Sequence, residues 1–394
     1  MIQPSATLGL LGGGQLGRYF VQAALSMGYG VWVLDPDPDS PAGRIATRHL
    51  CQGFDDPAAL EALAGECAVI TTEFENIPRA SIDWLEARVR LCPGSRALAI
   101  AQDRLAEKDF LGEIGIAVAP WQALRAGAAT PVTPSGGATP AFPAILKTAR
   151  MGYDGKGQVR LARAEDLAAA HTELGSVDCV LEQQVELERE VSVIVARGAA
   201  GHVEAFPLAE NSHCDGILHL SRVPARVDAA VRERATAIAR MIVERLEYQG
   251  VLAVEFFLTV AGELLVNEIA PRPHNSGHYS LDACTVSQFQ QQVRAVCDLT
   301  LAPALLTTPV AMVNLLGDLW PDGACPDWSP VLEAGRARLH LYGKAVARRG
   351  RKMGHVNVLG LPGEGDATAV ASSAEGLWQA LADAAARPSA EAEA

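Results

Sequence analysis

Residues 7–14 begin as an apolar run and end in Gly12, Gly13 and Gly14, and apolar residues return at helical spacing as Phe20, Ala23, Ala24 and Met27. That order predicts a buried strand, a glycine loop and a helix from Gln15 to Met27. A second apolar run, 31–37, is stopped by prolines. A third, 66–76, leads into a helical pattern at 82–89 and a short run at 89–94. Strand–helix alternation of this kind predicts a parallel sheet covered on both faces, ending near residue 100.

The pattern then changes. Residues 95–115 read as one helix, frayed by Gly112 and Gly115. Residues 125–140, rich in Ala, Pro, Gly, Ser and Thr, read as an exposed loop insertion. Short strand patterns follow at 143–149, 158–162, 177–185, 190–198 and 202–210, then an amphipathic helix over about 228–247. This is the signature of an α+β region with antiparallel pairs. A hairpin spans 251–270. From about 311 the chain carries three more strand patterns and a last helix, and 387–394 reads as a disordered tail.

The hairpin carries the sharpest chemistry. Its turn candidate is Ala261-Gly262, and a two-residue loop there sets Glu255 directly opposite Glu268 on one face. Opposed residues have Cβ atoms about 4.5–5.5 Å apart, so two carboxylates destabilise the pair unless something neutralises them. Mg²⁺ shared with nucleotide phosphates would do so. Exposure of both to solvent, or a shifted register, is the alternative; the Val, Phe and Ile neighbours speak against full solvation.

Two glycine loops offer phosphate sites. Gly12, Gly14 and Gly17, with Asp35 at the end of the next strand, satisfy the dinucleotide pattern. The loop equally suits a single ribotide phosphate at a helix N-terminus, or a bare strand-to-helix turn. The second loop follows Lys147 and contains Gly152, Gly155, Lys156 and Gly157. It suits a lid whose amides and lysine converge on phosphates, or a plain surface hairpin. His274 and His278 have the spacing of a helical metal pair, but Pro271 and Pro273 oppose a helix, and polar loop contacts are expected instead.

Composition narrows the classes. The 394 residues allow two or three domains, and a net charge of −13 without a long basic run argues against nucleic acid and anionic membranes. No stretch approaches the roughly 20 apolar residues of a membrane span, and the N-terminus lacks a secretory pattern. Eight cysteines without a Cys-x-x-Cys pair predict free thiols in a reducing cytoplasm.

Six strings together identify a resemblance: 12–18, 73–78, 102–108, 152–158, 267–278 and 350–357. They resemble the N5-carboxyaminoimidazole ribonucleotide synthetase family of purine biosynthesis, over about residues 8–360. The resemblance implies an α/β and α+β ATP-grasp fold. It would comprise an N-terminal Rossmann-like (pre-ATP-grasp) domain, 1–100, an ATP-grasp domain, 101–310, with a lid subdomain at about 118–185, and a small β-rich C-terminal domain, 311–386. It implies a cytoplasmic homodimer that binds neither nucleic acid nor membrane.

The implied reaction is ATP- and bicarbonate-dependent carboxylation of 5-aminoimidazole ribonucleotide through carboxyphosphate, a carbon–nitrogen ligation releasing ADP and phosphate. By resemblance, Arg104 and Lys147 contact the phosphates of ATP, and Gly152, Tyr153, Asp154, Gly155, Lys156, Gly157 and Gln158 close above them. Glu182, Gln183, Gln184 and Val185 form the adenine-reading hinge, Glu190 holds the ribose and His213 contacts the nucleotide. Asn267 and Glu268, with Glu255, form the Mg²⁺–phosphate edge, and Lys108 is a further candidate. Gly14, Gln15, Leu16 and Glu75 would meet the ribonucleotide, closed in by Tyr153, Asp154, Arg272, Asn275, Lys344 and Arg351. Arg272 would bind carboxyphosphate, and Asp154 would orient or deprotonate the amine. A turn-stabilising role for Asp154, and surface solvation of Lys344 and Arg351, are the plainer readings. Lys156 stands where the family often has arginine, losing two-point geometry. The rivals are an NAD-dependent oxidoreductase, another ATP-grasp ligase acting with formate or on biotin, and a scaffold with a dead ATP site.

Overall fold

The glycine-loop unit is a four-stranded parallel sheet in the computed structural model, which describes residues 1–128, 130–133, 137–152, 155–361 and 367–386. Its strands β1 (Thr7–Leu11), β2 (Gly30–Leu34), β3 (Arg48–Leu50) and β4 (Val69–Thr72) lie in the order β3-β2-β1-β4. The three-residue β3 is too short to announce itself as a pattern. The helix Gln15–Ser26 buries Leu16, Phe20, Ala23 and Ala24 against this sheet.

The one helix expected over 95–115 is two, Ser95–Ala101 and Arg104–Glu113. Asp103 breaks them apart: its backbone is extended and its carboxylate accepts from the Leu105 amide at 2.9 Å, capping the second helix. The break brings Arg104 to a helix start, where its amide donates to the Ala149 carbonyl at 2.9 Å.

A small antiparallel sheet follows. Its strands β5 (Trp121–Leu124), β6 (Ala144–Thr148), β7 (Gln158–Leu161) and β8 (Cys179–Gln183) run in the order β5-β8-β6-β7. The large antiparallel sheet comprises β9 (Leu187–Arg197), β10 (Val203–Ala205), β11 (Ala209–Cys214), β12 (Ile217–Val223), β13 (Gly250–Thr259), β14 (Leu264–Ala270), β15 (Val310–Leu316), β16 (Ala337–Leu341) and β17 (Lys352–Leu359). The order is β14-β13-β9-β11-β12-β15-β17-β16, with β10 beside β9. Strands β15–β17 therefore continue the same hydrogen-bonded sheet through the β12–β15 pairing, which fixes the C-terminal strands against the rest. Helix Ala229–Arg245 buries Ala235, Ala239, Ile242 and Val243, one helical stripe, in the core that includes β9 and β13.

Among the described residues, no helix is long and apolar enough to cross a membrane. All eight cysteines are free. Burial pushes Cys67 and Cys284 up to about 12, and Cys179 and Cys297 up to about 11. Thiolate is the reactive form, so Ellman's reagent at neutral pH should modify only the exposed Cys51, Cys214 and Cys325 quickly. A fourth fast thiol in the native protein would contradict this burial.

Candidate active site

The first glycine loop binds the protein's own carboxylates. Glu73, just beyond β4, accepts from the Gly14 amide at 2.6 Å and the Gly17 amide at 3.0 Å. Asp35 accepts from the Gly13 amide at 2.7 Å. Three donors of this turn, the Gly13, Gly14 and Gly17 amides, which would otherwise attract a phosphate, are thus already matched, while Gln15 and Leu16 line the cavity. A Cβ on Gly14 would stand 2.4 Å from the Glu73 carboxylate, so a side chain there would displace Glu73. Burial raises the Glu73 carboxyl above the usual range, opposed by these amides and by Arg272. The dinucleotide reading therefore loses its glycine amides to Glu73 and Asp35, and its acidic residue, since Asp35 accepts from the Gly13 and Asp37 amides. Sequence reasoning did not assign Glu73 a role: it lies 59 positions from Gly14, and only the folded sheet joins them.

Glu75 follows on the same loop and meets Arg272. The Arg272 Nε stands 2.7 Å from Oε2, and Nη2 donates to Oε1 at 3.3 Å. Arg272 leads off from β14, so this two-point pair ties the parallel sheet to the large one. The guanidinium overcomes burial and holds the Glu75 carboxyl below its usual range. The turn after Arg272 is fixed from behind: Gln288 accepts from the His274 amide at 2.9 Å and donates to its carbonyl at 2.7 Å. Asn275, on this turn, is buried with both side-chain polar atoms unmatched in the protein.

The opposed glutamates form as expected: Glu255 on β13 pairs with Glu268 on β14. Glu268 meets the Arg104 Nη1 at 3.0 Å, and Glu255 meets the His274 Nε2 at 3.2 Å. Burial and the charge on Glu268 push the Glu255 carboxyl up to about 7. Glu268 moves the other way: Arg104 and Lys147 outweigh its burial and hold it down. Asn267 is the extra residue of a bulge between them, and its buried Oδ1 has no hydrogen-bond partner. Two close carboxylates and an unmatched amide oxygen are hard-oxygen donors that suit a divalent cation also held by phosphates.

Beside this edge, Glu182 on β8 receives Lys147 at 2.6 Å and Lys108 at 2.7 Å. Lys108 is buried, so it faces this carboxylate rather than solvent. The amides of Gln183 and Gln184 bond to the carbonyls of Pro120 and Pro143 at 2.9 and 3.0 Å. Glu190 on β9 and His213 on β11 meet at 2.9 Å. Burial would lower the His213 imidazole, but the bond to Glu190 raises it above its ordinary value.

The second glycine loop crosses this region. Gly157 holds φ +70°, and its carbonyl accepts from the Thr148 amide at 2.8 Å; a Cβ there would lie 2.6 Å from Thr148 Oγ1. Gln158 pairs with Lys147 at the start of β7. Gly155 approaches the β11–β12 turn, with its built Cβ 3.4 Å from the Asp215 carbonyl oxygen. Tyr153 and Asp154, assigned above to ATP and the ribonucleotide, lie outside the described residues.

A cavity of about 790 Å³ runs between these elements. It is lined by eleven of the expected residues: Gln15, Leu16, Glu75, Arg104, Gly152, Lys156, Glu268, Arg272, Asn275, Lys344 and Arg351. Glu107, Arg348, Arg349 and Lys352 also line it. The Arg-Arg-Gly-Arg-Lys run at 348–352 could have signalled the last three. Eight lining residues are cationic (Arg104, Lys156, Arg272, Lys344, Arg348, Arg349, Arg351, Lys352) and four acidic (Glu73, Glu75, Glu107, Glu268), opposite in sign to a chain of net charge −13. Such a cleft selects anionic ligands.

A strand-borne carboxylate pair, a second glycine loop and a cationic cleft point to an ATP-grasp protein. Family models agree along the chain: a ribonucleotide synthetase preATP-grasp domain at 5–102, an ATP-grasp domain at 109–289 and a phosphoribosylaminoimidazole carboxylase C-terminal domain at 310–364. N5-carboxyaminoimidazole ribonucleotide synthase of Brucella melitensis is 44% identical over 357 residues, covering 90% of this chain and 96% of that one. A solved ADP complex of N5-carboxyaminoimidazole ribonucleotide synthetase has a TM-score of 0.87 at 41% identity, covering 97% of this chain and 99% of that one. The Aspergillus clavatus enzyme solved with ADP and 5-aminoimidazole ribonucleotide has a TM-score of 0.83 at 29% identity, covering 98% and 99%. The chain belongs to the N5-carboxyaminoimidazole ribonucleotide synthase family.

Proposed function

We propose that the protein carboxylates 5-aminoimidazole ribonucleotide with ATP and bicarbonate, giving the N5-carbamate, ADP and phosphate. The observation that carries this reading is the Glu255–Glu268 pair, whose Glu268 lines one cavity with the cations Arg272, Lys344 and Arg351. One end of that cavity suits a triphosphate and the other a ribonucleotide phosphate.

ATP lies between the small and large sheets. The Val185 amide and the neighbouring hinge carbonyls read adenine, because Gln183 and Gln184 have their amides bonded elsewhere. Glu190 holds the ribose, and His213, bonded to Glu190, orients it. Lys147 and Arg104 take the phosphates, and the 152–158 loop covers them. Glu255, Glu268 and Asn267 would hold Mg²⁺, which when bound offsets phosphate charge during transfer. The raised Glu255 carboxyl fits such a site, since a cation there would restore its ionised form.

Bicarbonate oxygen attacks the γ-phosphorus, and ADP leaves. Arg272 holds the resulting carboxyphosphate. The exocyclic amine of the ribonucleotide attacks its carboxyl carbon, phosphate leaves with the C–O electron pair, and Asp154 takes the amine proton. The covered cavity limits hydrolysis of the mixed anhydride. Gln15, Leu16, Asn275, Lys344 and Arg351 hold the ribonucleotide, with Glu75 contacting a hydroxyl and orienting Arg272. The active form is a cytoplasmic homodimer, each chain divided into an N-terminal domain, 1–100, an ATP-grasp domain, 101–310, and a C-terminal domain, 311–386.

A coupled ADP-release assay tests the reading. Turnover should require both bicarbonate and aminoimidazole ribonucleotide. Turnover that instead needs formate and glycinamide ribonucleotide would replace it with the related transformylase reaction.

A further inference from the structure

A cluster of histidines lies behind the site, away from the reacting atoms. His278 and His355 stack with centroids 4.6 Å apart at 20°, and His355 and His340 stack at 4.4 Å and 10°. Tyr19 lies against all three, with centroids 5.6, 6.1 and 6.0 Å from His278, His355 and His340. The stack joins three regions. Tyr19 comes from the helix whose first residues wall the cavity. His278 ends the turn that begins at Arg272. His340 and His355 come from β16 and β17.

The C-terminal side of this joint is linked directly to cavity cations. Tyr342 OH pairs with His355 Nδ1 at 3.0 Å, and Lys344 follows two residues later. Lys344 donates to the Lys352 carbonyl at 2.6 Å, at the start of the strand that carries His355. Both lysines line the cavity.

The two inner rings have surroundings suited only to neutral imidazole. His278 and His355 are fully enclosed, and the Nε2 of each has no hydrogen-bond partner in the protein. Lys344, Lys352, His274 and His340 all oppose a positive charge on His278, and His278 and His340 oppose one on His355. Asp282 is the facing carboxylate; it pairs with His340 at 2.7 Å, accepts from Asn357 at 2.7 Å, and is also met by Arg338. Arg18 faces Tyr19 and adds no acceptor, and Tyr342, also against Tyr19, reaches His355 at Nδ1, so neither meets the unmatched Nε2 of the inner rings.

We infer that this ring stack is a positioning device. In its neutral form it holds the β16–β17 edge, and with it Lys344 and Lys352, over the ribonucleotide end of the cavity, and protonation of His278 or His355 loosens that hold. The inference rests on the carboxylase reading for the ligand's identity, not for the joint itself.

The sign follows from linkage. Burial holds both imidazoles well below their ordinary value. In an opened joint they would return to about 6.5, so below that pH the open form takes up protons that the closed form refuses. The closed form loses stability as pH falls through that range and is unaffected above it.

The test compares wild type, His355→Ala and His355→Phe between about pH 7.5 and about pH 5.5. His355→Ala should raise the ribonucleotide KM several-fold at the higher pH, with a smaller change in the MgATP KM, and His355→Phe should restore much of the loss by replacing the ring. The ribonucleotide's own phosphate titrates near about pH 6 and weakens binding equally in every variant. The decisive readout is therefore a steeper acid rise of ribonucleotide KM in wild type than in His355→Phe. Equal rises overturn the inference. The melting temperature of the ligand-free protein should likewise fall more on acidification in wild type than in His355→Phe, and equal falls also overturn it. If wild type shows no ribonucleotide-dependent turnover at the higher pH, the carboxylase reading fails, and the melting comparison still decides the joint. His278→Phe replaces His355→Phe in both measurements if the latter does not fold.

Discussion

Glu268→Ala should lower kcat for bicarbonate-dependent ADP formation by about 10²–10³-fold, the loss seen when one preorganised charge-stabilising group is removed from a transition state. Of the two opposed carboxylates, Glu268 is the one held ionised, by Arg104 and Lys147, whereas Glu255 is pushed up to about 7. Its loss removes the stronger of the two oxygen donors proposed for the cation. It also releases Arg104 from a 3.0 Å pair and lets it turn to the phosphates. Ground-state nucleotide affinity therefore changes less than kcat. Folding stability is subject to opposing effects, since the Arg104 bond is lost and repulsion with Glu255 is relieved, so the melting temperature should move little. Glu268→Gln separates charge from size and should fall nearly as far. Full bicarbonate-dependent turnover in Glu268→Ala would remove the metal assignment.

The position of that glutamate was legible, but for an incomplete reason. A two-residue turn at Ala261-Gly262 sets Glu255 opposite Glu268. The chain instead turns over three residues, Val260, Ala261 and Gly262, with the Thr259 amide bonded to the Glu263 carbonyl at 2.9 Å and Gly262 at φ +80°. That turn alone would oppose Glu255 to Asn267. The bulge at Asn267 restores the pair and leaves the Asn267 Oδ1 buried without a hydrogen-bond partner beside it. Alternation marks which residues share a face, but a bulge is one extra residue with no composition of its own. Glu73 shows the wider limit. Its pattern neighbours mark a strand end, and nothing local says that its carboxylate will fill the Gly14 loop. The break at Asp103 was hidden by periodicity: apolar spacing continues across it, while the cap depends on one side chain. Strand runs and the 267–278 string were legible because each is contiguous. The ion pairs Glu75–Arg272 and Lys108–Glu182 join distant segments and needed the fold.

Arg272→Ala should cost both activity and stability, with a pH dependence that identifies the cause. The guanidinium faces Glu75 at two points and also acts on Glu73 and Glu268. Breaking a fully buried pair by removing one partner costs about 3–5 kcal/mol. Here the side chains of Arg272 and Glu75 remain 18% and 23% exposed to the cavity, so screening reduces the expected loss to about 2–3 kcal/mol. The loss in kcat/KM should reach about 10³-fold or more, because the proposed carboxyphosphate cradle becomes an unbalanced carboxylate pair. Arg272→Lys keeps the charge, loses the two-point geometry and should fall between. In wild type the depressed Glu75 carboxyl contributes stability above its unfolded value, and this is lost as pH falls through the folded one. In Arg272→Ala, burial, the largest influence, joined by the Glu268 charge, is opposed only by a backbone hydrogen bond and raises Glu75, so its penalty is present at neutral pH and fades as Glu75 takes a proton. The gap in unfolding free energy between wild type and Arg272→Ala should therefore narrow from about pH 7 to about pH 5. A gap of constant size across that range would show that Arg272 stabilises the fold by packing rather than by facing Glu75.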